Sequence, residues 1–478
     1  MSTYKGTYGK VIVSTDKEYV EKFVEKYHEV YEKETENIYQ FENANIKEMV
    51  ALSSLPPIQG LLPLESVSQY SKKFSLKLHY GGINLEEWCR RTKFSTRIEK
   101  LPYIVFQILN VLKKLEELQI VHGDIKPPNI LIDKNENISI VDFGACILDC
   151  TIVDEVQNRS LFSMCSYWFS SPEMLTLDKF PNKICCKHDI FSLGLVVKYI
   201  LMGTYTNNED SYIERTLERK EDIYSVGVLE YLHYNSKEFC SVWLDMLKMD
   251  REKRSSASDL LKASIFEKFV VDEVSQLKRD TGAFEKFDET KVSQLERVEV
   301  KHDTEAFKKF TKDNTEQKVI ENTFSSILQP CDTKYRSNVI EWIFTACSSH
   351  GYNFLAPLAV WIYDKYTQNK TLQTSEYSTV AISVLVISDC ILNYDGVQFD
   401  IIHLITVEIC DNVCKILHEL DYKVYARTFD YYLRKTSNPV NYDVVKEILL
   451  NYQSYSLSTD ELIKIYNEKI QSNTIQTS

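Results

Sequence analysis

The 478-residue chain has no excess of basic charge: 56 lysines and arginines face 69 aspartates and glutamates, for a formal net charge of -13. Neutralising a phosphate backbone requires a basic face, so general nucleic-acid binding is excluded as the main role and only a local basic groove is left open. The chain also lacks an apolar run of the ~18 residues that a membrane span needs. Its longest candidate, VAISVLVIS at 380–388, reads as a buried helix. The opening MSTYKGTYGKV lacks the basic-then-apolar layout of a secretory signal. Among 12 cysteines there is no CxxC pair, and neighbours such as Cys185 and Cys186 do not suit a disulfide framework. A reducing compartment, cytoplasmic or nuclear, is expected, with neither nucleic acid nor membrane as a partner.

What is present is an ordinary globular composition, 44% hydrophobic and 26% charged, in a chain long enough for two or three domains. Residues 1–270 alternate short β-rich runs with helical patterns, then become mostly helical, and they hold every candidate catalytic motif. Residues 271–329 read as a charged, partly repeated helical linker: FEKFVVDEVSQL at 266–277 recurs eighteen residues later as FEKFDETKVSQL, and FKKF at 307–310 echoes it. Eighteen residues make five helical turns, so each copy presents the same face. From 330 to 478 apolar positions recur at three- and four-residue spacing, as in VIEWIF and VCKILHELDY, which predicts an all-α domain. The fold class expected is therefore α+β followed by all-α.

The chemistry concentrates in VHGDIKPPNILID at 121–133, where Asp124, Lys126 and Asn129 fall within six residues. Moving a γ-phosphoryl group needs a carboxylate near the attacking hydroxyl, a cation to offset phosphate charge, and oxygen ligands for Mg2+. Asp124 and Lys126 supply the first two, and Asn129 is a metal ligand. About a dozen residues on, ISIVDFGA ends a short strand in Asp142, Phe143 and Gly144. Asp142 is the second metal ligand, and the glycine lets the chain turn sharply.

These motifs resemble the catalytic core of eukaryotic protein kinases, and the resemblance covers residues 1–270. It implies a bilobal fold that takes ATP and Mg2+. YKGTYGKV at 4–11 is similar to the glycine-rich loop, with Gly6 and Gly9 opening backbone amides to phosphates, Val11 following, and Tyr4 in place of the first glycine. The ATP lysine has two candidates, since YVEK ends at Lys22 and FVEK at Lys26. Lys22 has the better apolar alternation after it, and Lys26 the usual distance from the glycine loop. Glu48 in NANIKEMVALSSL is the expected partner of that lysine. LKLHYGG at 76–82 resembles the hinge, with Leu78 at its gate and adenine bound by backbone around Tyr80. Glu173 and Arg254 match the family's buried ion pair, in which loss of one partner is expected to remove about 3–5 kcal/mol. Asp189 matches the helix aspartate that holds the catalytic loop.

NANIKE, GTYG and CSYWFSSPEML are similar to signatures of the cyclin-dependent kinases. Three arginines that hold an activation-loop phosphothreonine in that family correspond here to Gly123, Lys47 and Ile147, and Leu161 stands at the threonine, with Ser160 and Ser163 nearby. Without a guanidinium cluster a phosphate finds few charge-assisted partners, so activity independent of loop phosphorylation is expected. Thr7 and Tyr8 stand where those kinases can be inhibited by phosphorylation.

YRSNVIEWIF at 335–344 and LAPLAVWIYDKYTQNKTLQ at 355–373 resemble the first and second helices of a cyclin box, and KILHELDYKVYARTFDYYL at 415–433 resembles its fifth helix together with the segment after it. Arg336 and Trp342 fall in register, and a helical remnant lies at 440–471. Asp389 and Val413 replace the lysine and glutamate that cyclins set against the kinase helix. Trp342 and Trp361 are expected in the core. The resemblance implies a serine/threonine kinase acting on protein substrates and activated by an intramolecular cyclin-like domain that presses on helix 43–55. Lys126 and Ser166 fit the serine/threonine class, while Ser170 leaves proline preference open. A pseudokinase scaffold or interaction protein, suggested by the lost glycine, is the alternative; a small-molecule kinase is disfavoured by the SPE motif and Arg254.

Overall fold

A computed structural model describes residues 2–6, 9–30, 38–41, 43–148, 167–175, 185–202, 236–270, 333–349, 351–368, 370, 372–373, 375–392, 406–435, 439–453 and 457–477. The eighteen-residue repeat beyond Val270, Thr7, Tyr8, Ser160, Leu161, Ser163 and Ser166 lie outside them.

The first strands are rich in β-branched and aromatic residues, which favour extended backbone, and Gly6 ends β1 where Gly9 begins β2. β1 (Ser2–Gly6) pairs antiparallel with β2 (Gly9–Val13), Gly6 opposite Gly9, and β2 pairs with β3 (Tyr19–Glu25), Val11 opposite Lys22. A small hairpin, β4 (Tyr27–Val30) and β5 (Ile38–Phe41), leads into α1 (Asn43–Ser54). β6 (Leu64–Gln69) and β7 (Lys73–His79) complete a five-stranded sheet in the order β1-β2-β3-β7-β6. Ile46, Met49, Val50 and Ala51 of α1 are buried, as are Val24, Phe74 and Leu76 of the sheet. Asn45 ties the start of α1 to β3 by donating to the Glu25 carbonyl at 2.9 Å.

The chain then crosses to a mostly helical lobe. After β8 (Ile83–Asn84), the Asn84 side chain caps α2 (Leu85–Arg91) by accepting from the Glu87 amide, with Glu86 and Glu87 in the first turn and Arg90 and Arg91 in the last. The long α3 (Phe94–Glu117) buries Leu101, Ile104, Val105, Ile108, Leu109, Leu112 and Leu115 along one stripe. β9 (Ile130–Ile132) and β10 (Ile138–Ile140) join β8 in a small sheet. α4 (Pro172–Leu175), α5 (Lys187–Met202), α6 (Lys237–Met246) and α7 (Ala257–Leu260) come next. α5 is buried all round from His188 to Leu201, and the Trp243 indole donates to its Gly194 carbonyl at 2.8 Å.

The rear of the chain is helical: α8 (Thr333–Ser349), α9 (Ala356–Thr367), α10 (Glu376–Leu392), α11 (Val407–Glu419), α12 (Phe429–Arg434), α13 (Tyr442–Asn451) and α14 (Thr459–Thr477). α10, which contains VAISVLVIS, is the axial helix, packed by α8, α9 and α11 and on its remaining side by α1. Among the described residues no helix is long and apolar enough to cross a membrane. The buried Arg336 of α8 makes a bidentate pair with Asp364 of α9 at 2.7 and 2.8 Å, and also donates to the Leu449 and Tyr452 carbonyls.

Of the two tryptophans expected in the core, Trp361 packs against it and Trp342 does not. Trp342 is exposed, because Ile340, Ile343, Phe344 and Cys347 already fill the inward face of α8 and residues 341 and 342 turn outward. Trp361 is half-buried, its ring covered by the Lys365 ammonium at 4.6 Å. KILHELDYKVYARTFDYYL divides into a helix and a following segment: α11 stops at Glu419, Asp421 and Tyr422 take left-handed φ of 52° and 58°, and helix resumes at Phe429.

Candidate active site

The site lies where the five-stranded sheet, α1 and the loops flanking β9 and β10 converge. β3 carries Lys22, whose Nζ reaches both carboxylate oxygens of Glu48 on α1 at 2.8 and 2.7 Å and Oδ1 of Asp142 at 3.2 Å. The other candidate, Lys26, sits just past β3 and points elsewhere, with Nζ 3.5 Å from Gln69 Oε1 and 5.0 Å from the Phe74 ring centre. Burial favours a neutral Lys22, but the Glu48 and Asp142 charges outweigh it and hold the ammonium protonated. Burial pushes Glu48 up against the opposing pull of Lys22. For Asp142 burial acts upward too, yet Lys22 overrides it and keeps the carboxyl below its ordinary range, so it is ionised.

The catalytic-loop residues meet as their spacing suggests. Asp124 Oδ2 lies 2.6 Å from Lys126 Nζ, and Asn129 Nδ2 donates to the Asp124 carbonyl at 2.9 Å and to Oδ2 at 3.0 Å. With its NH2 so engaged, Asn129 keeps its carbonyl oxygen as an acceptor. Asp189 at the start of α5 holds the loop by accepting from the amides of His122 and Gly123 at 2.7 and 3.0 Å. Arg254 pairs with both oxygens of Glu173 at 2.6 and 3.1 Å and donates to the Lys187 and Lys248 carbonyls. Burial acts to raise Glu173, but Arg254 overcomes it and holds the carboxyl below its ordinary value.

Four features are not legible in the sequence. His122 packs edge-on to Phe143 with ring centres 4.8 Å apart, and burial keeps its imidazole below the usual histidine range. Gly123 has φ of +80°, and a methyl group there would come 2.4 Å from the Ala145 carbonyl oxygen. This position, the first that corresponds to an arginine, therefore excludes any side chain in this backbone. Ile147, at the second such position, exchanges backbone hydrogen bonds with Val121 at 3.0 and 2.8 Å and is fully buried. Lys47, at the third, is 1% exposed.

The hinge stretch comes directly after β7. Tyr80 donates its amide to the Glu18 carbonyl at 2.9 Å, so of the backbone expected to bind adenine this N–H faces β3. A methyl on Gly81 would meet Leu131 of β9 at 2.8 Å, which places Leu131 directly beneath the hinge. Tyr4 and Val11 pair across β1 and β2, and the register through β3 to β7, with Lys10 opposite Phe23, Phe23 opposite Ser75 and Tyr19 opposite His79, sets Gly6 and Gly9 at the end of the sheet away from the hinge.

A family model for the protein kinase domain matches residues 5–266, more than half of the chain. The chain belongs to the protein kinase domain family. Similar proteins include the probable serine/threonine-protein kinase MRK1 homolog of Encephalitozoon cuniculi, 29% identical over 212 residues, covering 39% of this chain and 63% of that protein. The serine/threonine-protein kinase VPS15 of Saccharomyces cerevisiae is 29% identical over 34% of this chain and 12% of its own length. The serine/threonine-protein kinase tousled-like 2 of Xenopus tropicalis is 35% identical over 130 residues, 26% of this chain and 18% of its own length. The chain thus spans less than two thirds of each of these relatives.

The kinase domain is covered by the rear helices at α1. α1 and α10 pack face to face, and burial pushes the Cys390 thiol of α10 well up, with Asp389 acting the same way and the buried Lys47 of α1 against it. Val413 is fully buried in α11. Lys26, which does not meet Glu48, lies at this junction: burial pushes the Cys414 thiol of α11 up to about 11, and Lys26 pulls against it.

Proposed function

We propose that the protein is a serine/threonine protein kinase that transfers the γ-phosphoryl group of ATP to protein hydroxyls and is switched on by its own rear helical domain. The observation that carries this reading is the Lys22–Glu48–Asp142 arrangement, complete while α1 is packed beneath α10. Lys22 holds the α- and β-phosphates, and Glu48 fixes Lys22. Asp124 accepts the proton of the attacking hydroxyl, its Oδ2 oriented by Asn129, and Lys126 balances charge on the transferred group. The ionised Asp142 and the carbonyl oxygen of Asn129 fit Mg2+, a hard cation that takes oxygen ligands. That ion, when bound, neutralises charge on the phosphates. Leu131 and the hinge backbone at Gly81 accept the adenine.

The cyclin-like reading of residues 330–478 is supported by the Arg336–Asp364 pair, which joins the arginine of YRSNVIEWIF to the aspartate of LAVWIYDKY, each at the matched position of its motif. Independence from loop phosphorylation is supported by Gly123, Lys47 and Ile147, none of which offers a guanidinium. In transfer of radiolabelled phosphate from ATP to a protein substrate, the full chain is expected to label serine and threonine. Asp142→Asn should abolish the signal, and a Ser160→Ala/Ser163→Ala double variant should retain it. No label above the Asp142→Asn control would overturn the kinase reading in favour of a scaffold, and loss of label in the double variant would overturn phosphate independence.

A further inference from the structure

The turn that splits α11 from α12 touches three separate parts of the kinase domain within six residues. Tyr422 accepts at its phenol from Gln69 Nε2 of β6 at 3.1 Å, and its ring meets Phe74 of β7 edge-on at 6.3 Å. Gln69 Nε2 also donates to the Cys414 carbonyl at 2.8 Å, so β6 is held from two points of the rear domain. Tyr425 donates its hydroxyl to the Leu148 carbonyl at 2.7 Å, four residues beyond Gly144 on the segment that leaves Asp142. Arg427 donates to the Leu118 carbonyl at the end of α3. The three anchors thus lie on the sheet lobe, the activation segment and the helical lobe.

The turn is rigid enough to transmit position. Asp421 and Tyr422 are both left-handed without being glycine, held by amide bonds to the His418 and Leu417 carbonyls at 3.0 and 2.7 Å. Lys365 of α9 donates to the Lys423 carbonyl at 2.6 Å, and Val424 is fully buried. A pinned stretch of this length spans at most ~20 Å. Rotation of one lobe against the other about the hinge at 80–82 would load these hydrogen bonds, since the same short stretch holds both lobes.

We propose that residues 422–427 act as an intramolecular staple that fixes the opening of the nucleotide cleft and the path of the chain after Asp142, with Tyr425 as its positioning residue. This rests on the kinase reading above but adds a contact separate from the one on α1. Tyr425 touches neither nucleotide nor acceptor; it acts through the Leu148 carbonyl, and thus through the Val121–Ile147 bridge that adjoins the catalytic loop.

The test uses the full chain with Tyr425→Phe, Arg427→Met and the double variant, read by steady-state phosphate transfer and by hydrogen exchange at the Val121 and Ile147 amides. Tyr425→Phe keeps the ring and removes one hydroxyl, so folding is preserved. Its kcat is expected to fall about three- to tenfold, the worth of one hydrogen bond, with KM for ATP within about twofold and faster exchange at both amides. The double variant should lose less than the product of the single losses, because both anchors work through one turn. Unchanged kcat, or unchanged exchange at Val121 and Ile147, would overturn the staple. A wild-type chain that transfers no phosphate would overturn the kinase reading instead, and the exchange arm would still decide whether the staple exists.

Discussion

Lys22→Met is expected to reduce phosphate transfer at least about a hundredfold, the scale seen when one preorganised charge is removed from a reacting phosphate or oxyanion. Lys26→Met is expected to retain activity within about fivefold, since it loses contacts worth about 1 kcal/mol at a domain junction. The contrast is geometric in origin. Lys22 bridges Glu48 and Asp142, so its removal leaves a buried glutamate facing an aspartate with no cation between them. Lys26 meets Gln69 and Phe74, and its loss weakens the seam with α11 rather than the cleft. Side-by-side kinetics of the two variants check this; equal losses would mean the lysine assignment is wrong.

The second large effect is expected in the rear domain. Arg336→Met should destabilise it by about 3–5 kcal/mol, because Asp364 is left as a buried charge and the Leu449 and Tyr452 carbonyls lose their donor. Arg336→Met with Asp364→Leu should recover much of that loss, since removing both partners leaves no uncompensated charge. Chemical denaturation followed at a kinase-domain probe and at a rear-domain probe separates the two units, as a single transition need not hold for the whole chain. If the rear helices hold α1 in place, transfer activity of Arg336→Met falls at denaturant concentrations where the kinase domain is still folded. Activity that persists until the kinase domain itself unfolds would count against activation in cis.

Much of the catalytic geometry could be read from the sequence, because Asp124, Lys126 and Asn129 are local and their side chains meet whenever the loop folds. The two lysines could not be separated in that way. They lie four residues apart, so the two-residue period of a strand places them on the same side. What decides between them is the register of Val11 against Lys22 and the seating of α1, both tertiary facts. The missing arginines were visible, but the reason at residue 123 was not, since only the backbone reveals a positive φ and the nearby Ala145 carbonyl. Tyr422, Tyr425 and Arg427 gave no signal. The partners of Tyr425 and Arg427 are more than 270 residues away in the chain, and nothing local in DYKVYAR points to them. Trp342 departs from expectation for the converse reason: a large apolar residue in a helical pattern turns inward unless its neighbours already occupy that face, as Ile340, Ile343 and Phe344 do here.

Gly123 also bears on how this enzyme could change over time. Glycine codons lie one nucleotide from arginine codons, so the guanidinium is easily offered by mutation at this position. The first carbon of any such side chain would land against the Ala145 carbonyl, and the turn leaving Gly144 would have to be rebuilt before the new charge could serve. An arginine at residue 123 is therefore not within reach of a single point mutation that leaves this backbone as it stands.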